Sequence, residues 1–399
     1  MKTCLLTALV FACLPGYAEN PALFRFTEKP GSYEVGLKVV EQYDHARTFH
    51  GALDDLGKAN LEEPARPLQT LVWYPARRNN GNGMTVGDYG KLLVTETNFR
   101  ATHMPQEWKP WIDAMAPTLK DKLWAVRDAP AIAGKFPVVI YAPSFGLMAW
   151  ENADLCEYLA SHGYVVIASP DMGAMNRGMT LDLPGLDAQA ADISFLITFA
   201  QTLPDTDVSE VAVAGFSWGG LSNLLAASRD SRIRVLVALD GSMRYYAGLA
   251  REAGIHPDQM TIPLLFFTQG EISMENIERN HSAPEQTGPN VLNRWLHGDL
   301  MTVHNLALNH TEHSSMYQRN EDVWKDFPAT QKGDYDRDDG MVGYAWMARY
   351  AWKFLDAYLK KDSDAIAFLK RTPAENGVPK HYMTTEFRPA RGLAPSSVP

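Results

Sequence analysis

Apolar positions along this chain fall into two rhythms, and the change from one to the other outlines the architecture. Residues 33–44 and 68–74 cluster strand-forming side chains, with Pro75 closing the second run, and are expected as antiparallel entry strands. From residue 136 onward, short continuous apolar runs alternate with helical stretches. The runs 136–142 (FPVVIYA), 164–169, 211–214, 233–239 and 262–268 predict strands, and 301–308 is the candidate last strand. Between them, 153–161, 187–202 and 221–227 carry helical patterns. Unbroken apolar strands are buried on both faces, and their alternation with helices predicts a mostly parallel sheet with helices on both sides, an α/β class. Over 344–360 a polar stripe of Arg349, Lys353, Asp356 and Lys360 lies opposite Tyr344, Met347, Ala351, Leu355 and Tyr358. That spacing predicts an amphipathic helix packed on the sheet.

One segment breaks this pattern. Residues 88–126 are rich in tryptophan (Trp108, Trp111 and Trp124) set among charged residues. They are a candidate helical insertion or lid over a pocket, with a peripheral helix pair as the alternative. The expected organisation is a signal peptide over 1–18, a single domain over 19–387 and a loose Pro-rich tail over 388–399.

Composition narrows the setting. With 399 residues, 46% of them hydrophobic, the chain can bury a large core. Its formal net charge is −10 and its Lys and Arg are scattered, which argues against nucleic acid and anionic membrane surfaces as partners. Lys2 precedes a short apolar stretch that ends in small residues, the pattern of a secretory signal peptide, so a secreted or periplasmic location is expected. A lipid anchor on Cys13 is the lesser alternative, because Phe11 and Leu14-Pro15 make a poor lipidation box. Loss of the leader removes Cys4 and Cys13 and leaves Cys156, which sits on a predicted helix and is expected as a buried small hydrophobe. No later run is long and apolar enough to predict a transmembrane helix.

The candidate chemistry centres on Gly215-Phe216-Ser217-Trp218-Gly219-Gly220, at the junction of a predicted strand and a predicted helix. A GxSxG turn there holds a serine on a strained corner with its hydroxyl projecting from the sheet. Gly215 and Gly219 flank the turn where a β-carbon would collide, and Gly220 lets the helix pack close. A serine at its free pKa is a feeble nucleophile and needs a base held by an acid. Asp240 and Glu271 each end an apolar strand beyond the turn, and spacing leaves both open as the acid; Asp171, before the turn, is a weaker candidate. His310 and His313 follow the candidate last strand. His313 is preferred as base for its place in a tight loop with two small polar residues after it, and His310 is the alternative. An oxyanion hole is expected from the amide of Trp218 and from Leu147 or a neighbour in the loop 143–147.

Other features are expected to be decoys. The run DYDRDDG (334–340) imitates a calcium loop, but its glycine is one place late and position twelve is Ala345. His297, His304, His310 and His313 lack zinc spacing, so neither a metal nor another cofactor is expected. Met148, Trp150, Met172, Met175 and Met243 are candidates either for an apolar acyl pocket or for plain packing.

Taken together, VVIYAPSFGL, AGFSWGG, VALDG and TEHSS resemble the platelet-activating-factor acetylhydrolase and dienelactone hydrolase branch of the α/β-hydrolases. The resemblance spans roughly 68–360 in organisation but is close only in these motifs. It implies Ser217 as nucleophile, Asp240 as acid, His313 as base, and Leu147 with Trp218 as oxyanion amides. Phe145 departs from it, standing where the family usually has histidine, and segment 88–126 has no counterpart. The expected activity is that of a secreted serine hydrolase cleaving a carboxylic ester, small or polymeric, through an acyl-enzyme. A peptidase or amidase with the same triad, and a catalytically silent binding protein, are the alternatives. Nothing in the sequence speaks to the oligomeric state.

Overall fold

The computed structural model describes residues 23–49, 65–78, 81–269, 288–326 and 334–392. The expected signal peptide and Glu271 lie outside these residues. Ten strands form one sheet: β1 (Glu34–Thr48), β2 (Ala65–Ala76), β3 (Val126–Arg127), β4 (Phe136–Ala142), β5 (Val165–Ala168), β6 (Thr206–Phe216), β7 (Ile233–Leu239), β8 (Leu264–Gln269), β9 (Leu300–Asn305) and β10 (Met383–Arg388). Their spatial order is β10-β9-β8-β7-β6-β4-β5-β2-β1-β3. The strands from β5 through β4, β6, β7 and β8 to β9 are parallel, as their two-sided apolar composition predicts. The entry pair β1/β2 is antiparallel, and β2 joins β5 in the same sense.

Five principal helices cover the sheet: α1 (Ala153–Ser161), α2 (Leu183–Ala200), α3 (Trp218–Arg229), α4 (Arg337–Leu359) and α5 (Ser363–Lys370). Two cores result. One packs α1 and α4 against side chains such as Val139, Tyr141 and Val166 from one face of the strands. The other packs α2 and α3 against Val138, Ile140 and Ile167 from the opposite face. Alternate residues of the same strands feed opposite cores, as the strand period of two requires.

Two regions differ from the sequence-based expectations. Segment 88–126 folds as a chain of short helical turns, the longest being Lys109–Ala114, and not as a helix pair; it buries Tyr89, Leu93, Trp108 and Met115 into the core. A further strand, β10, pairs antiparallel with β9 at the sheet edge. The chain beyond it is tied down as far as Arg391, whose amide donates to the Leu296 carbonyl at 2.8 Å. In DYDRDDG, Asp336 caps α4 and exchanges hydrogen bonds with Asp339, a capping box that accounts for the local crowd of acids.

Candidate active site

β6 delivers Ser217 to the carboxyl edge of the sheet and α3 begins at the next residue. The turn between them is so tight that Ser217 adopts φ 50° and ψ −116°, a region that side-chain-bearing residues rarely visit. The glycines make it feasible. A β-carbon on Gly219 would lie 2.1 Å from the Ala142 carbonyl oxygen, and one on Gly220 would lie 2.7 Å from the Gly241 α-carbon. The serine is tied to the next strand over, its amide donating to Leu239 O at 3.0 Å while its carbonyl accepts from Ser242 N at 2.7 Å.

Asp240 follows β7 directly, fully buried, also at positive φ (42°). Its Oδ2 lies 2.6 Å from His310 Nδ1, and His310 Nε2 lies 2.9 Å from Ser217 Oγ. Burial alone would raise the Asp240 pKa, but the hydrogen bond and charge of His310, with help from His313 and Arg244, hold it below the usual carboxylate range. An ionised carboxylate can only accept, so Nδ1 carries the proton it donates to Asp240. The lone pair is thereby left on Nε2, facing the serine O–H.

This geometry corrects the preference for His313. Thr311–His313 form a single 3-10 turn that starts at His310. His310 therefore stays at the edge facing Ser217, while His313 is wound into the core. There its Nδ1 meets the carbonyl of Asn309 at 3.0 Å, its ring stacks on Phe216, and its own carbonyl accepts from Asn152 Nδ2. Burial lowers its pKa. The two histidines are three residues apart in one loop, and only the turn geometry separates them. Asp171 stands apart from the histidines and instead accepts from Gly146 N at 2.7 Å.

Of the two amides expected to face a developing oxyanion, Trp218 N belongs to the first residue of α3, where no i−4 carbonyl exists to engage it. Leu147 N closes a turn onto Ser144 O at 3.0 Å. The loop 144–147 is instead pinned around Phe145. Ser144 donates through its amide (2.8 Å) and its hydroxyl to the buried Glu151 carboxyl, whose pKa burial pushes up to about 7. Gly146, at φ 67°, is the hold on the other side. Phe145 itself is 37% exposed and meets Trp218 edge-on, with ring centroids 5.7 Å apart; Trp218 in turn meets Tyr246. Of the candidate pocket residues, Met148, Trp150 and Met243 are buried in the two cores, Met172 is buried in a small cluster with Phe49 and Leu68, and Met175 is exposed. Cys156 is buried on α1, and burial raises its thiol pKa well above the ordinary value.

Three comparisons bear on this arrangement. Residues 111–262 match the Chlorophyllase family model. A protein of Methylorubrum extorquens named "Putative carboxymethylenebutenolidase" is 26% identical over 132 residues, which cover 30% of this chain and 45% of that protein's length. The ferulic acid esterase of Streptomyces cinnamoneus superposes with a TM-score of 0.60 at 17% identity, covering 92% of this chain and 99% of that one. That likeness shows a shared fold. Among the described residues, no helix is long and apolar enough to cross a membrane.

Proposed function

From the premise that this chain is an α/β-hydrolase of the dienelactone hydrolase-like branch, we propose that it hydrolyses a carboxylic ester at Ser217 through an acyl-enzyme, outside the cytoplasm. The observation that carries the reading is the hydrogen-bonded series from Ser217 Oγ through His310 to the buried Asp240. As Ser217 Oγ attacks the ester carbonyl carbon, its proton passes to His310 Nε2, and Asp240 compensates the imidazolium. The carbonyl oxygen becomes an oxyanion, held by Trp218 N and by an amide of the loop 144–147. Collapse breaks the bond to the alcohol, which leaves with the proton from His310. Water, deprotonated by the same Nε2, then attacks the acyl group, and the acid departs as Ser217 regains its proton.

Phe145 against Trp218 offers an apolar aromatic wall beside the nucleophile, which supports an ester with an aromatic or other flat apolar group. The name of the Streptomyces cinnamoneus neighbour points the same way. Both small and polymer-borne esters fit this description, and the chemistry proposed is carried by side chains and amides alone.

Turnover of 4-nitrophenyl acetate and labelling by a fluorophosphonate test the reading. Ser217→Ala is expected to lose both. His310→Ala is expected to lower kcat by roughly 10⁶-fold and Asp240→Asn by roughly 10⁴-fold. His313→Gln is expected to stay within about tenfold of wild type, its effect being on packing. An inert wild-type protein, or an active His310→Ala, would sink the assignment.

A further inference from the structure

Arg177 binds four groups on three stretches of chain, one of them the loop 144–147. Its Nη2 donates to the Gly146 carbonyl at 3.0 Å and its Nη1 to the Asp171 carbonyl at 2.8 Å. Nε donates to Glu96 Oε2 at 2.6 Å, and the guanidinium lies 5.1 Å from the Trp108 ring centroid. Glu96 and Trp108 both belong to the segment of short helical turns that interrupts the strand series. The Glu96 carboxylate is 4% exposed and the Arg177 side chain 20%, so the pair is shielded from solvent and held in one geometry. The peptide before the one Arg177 grips is held as well, where Gly146 N donates to the buried Asp171 carboxyl. Asp171 thus meets the loop through its side chain, while its backbone carbonyl is bound by Arg177.

We infer that Arg177, oriented by Glu96, is a positioning residue that fixes the oxyanion loop, and that the tryptophan-rich segment acts on catalysis through this one guanidinium. The inference rests on the reading of Ser217 as nucleophile and of the loop 144–147 as a source of an oxyanion amide. An amide must stand within a few tenths of an ångström of the developing charge to stabilise it, and that charge is larger in the transition state than in the bound ester. Loosening the Gly146 peptide should therefore act on kcat and spare KM. Lysine lacks the planar fork that reaches three acceptors at once, so it should not replace arginine.

The test compares wild type, Arg177→Gln, Arg177→Lys and Glu96→Gln on 4-nitrophenyl butyrate, with inhibition by an aryl trifluoromethyl ketone, whose serine adduct carries the oxyanion. The two Arg177 variants are expected to lose about 10–100-fold in kcat, with KM within about threefold, and to weaken the ketone by the same factor as kcat/KM. Glu96→Gln should lose about 3–30-fold in the same pattern. The double variant should lose no more than Arg177→Gln alone, because the two residues act in series. Arg229→Gln, which removes the exposed pair with Asp187, serves as the control and should leave kcat unchanged. Folded Arg177 and Glu96 variants with wild-type kcat, or a loss confined to KM, would overturn the inference. If Arg177→Gln does not fold, Glu96→Gln decides by the same criteria. A wild type that neither turns over nor is labelled at Ser217 overturns the underlying reading, and the inference with it.

Discussion

Ser217 sits in a backbone conformation that costs on the order of 1–3 kcal/mol for a residue with a β-carbon. The turn is over-determined: its amide and carbonyl are bonded to the β7 edge and glycines allow the close approaches around it. Glycine adopts such a conformation without that cost. Ser217→Gly is therefore expected to unfold at a temperature about 1–5 °C above Ser217→Ala, both being inactive. Differential scanning calorimetry of the two checks this, and an equal or lower melting temperature for the glycine variant would show that the turn stores no such strain. Much of this site was legible in the sequence. The glycines announced the corner, and an aspartate directly after a buried apolar strand had no packing reason to be there. The choice between His310 and His313 was not legible, because a 3-10 turn of three residues decides which imidazole faces the serine and which is buried against the Asn309 carbonyl. The holds on the loop 144–147 were equally hidden. Glu151, Asp171 and Arg177 come from three stretches whose meeting is set by tertiary packing.

α1 is unusual among the helices in being buried at all nine of its positions while carrying two acids. Asp154 is matched by Arg319, with oxygens 2.6 and 2.9 Å from the guanidinium nitrogens. Among the described residues, Glu157 is bonded by neutral donors. It accepts from Tyr89 Oη at 2.6 Å and from the amides of Trp124 and Ala125, which again ties the tryptophan-rich segment to the core. Burial pushes the Glu157 pKa up to about 8, with the Tyr89 bond opposing and Asp154 reinforcing the rise. An unfolded glutamate titrates near 4.3, so between that pH and about 8 the folded chain holds a proton that the unfolded chain has released. Stability from this group is complete below the lower value and is lost as pH rises through the window. Glu157→Gln cannot ionise and loses that dependence. The melting temperature of Glu157→Gln minus that of wild type is expected to grow more positive from pH 5 to pH 9, and Glu151, present in both, cancels. A difference that stays flat across this range would show that Glu157 is ionised in the fold at every pH.

On the scale of the molecule, the strands that flank the parallel core on its two sides are built differently, and only one set was visible in the chain's pattern. The entry pair β1/β2 has long runs of strand-forming residues. β10 reads MTTEFR, with Met383 buried and Thr384, Glu386 and Phe387 exposed, so neither alternation nor apolar content marks it. Its strand character comes from its partner, since all six of its residues pair with β9, from Met383 opposite Asn305 to Arg388 opposite Leu300. β9 is buried at every position except His304. Without β10 it would present an apolar edge with unpaired amides and carbonyls, the arrangement that templates association between copies. Ending the chain before Met383 also removes the buried Met383 side chain and the anchors at Ala390 and Arg391, whose amides donate to Asp299 and Leu296. The truncated protein is expected to melt several degrees lower and to elute in part as oligomers on size exclusion, while labelling of Ser217 persists in its folded fraction, because the elbow lies three strands inward from β9 in the sheet order. A truncation that stays monodisperse with the melting temperature of the full chain would mean that β10 covers β9 without supporting it.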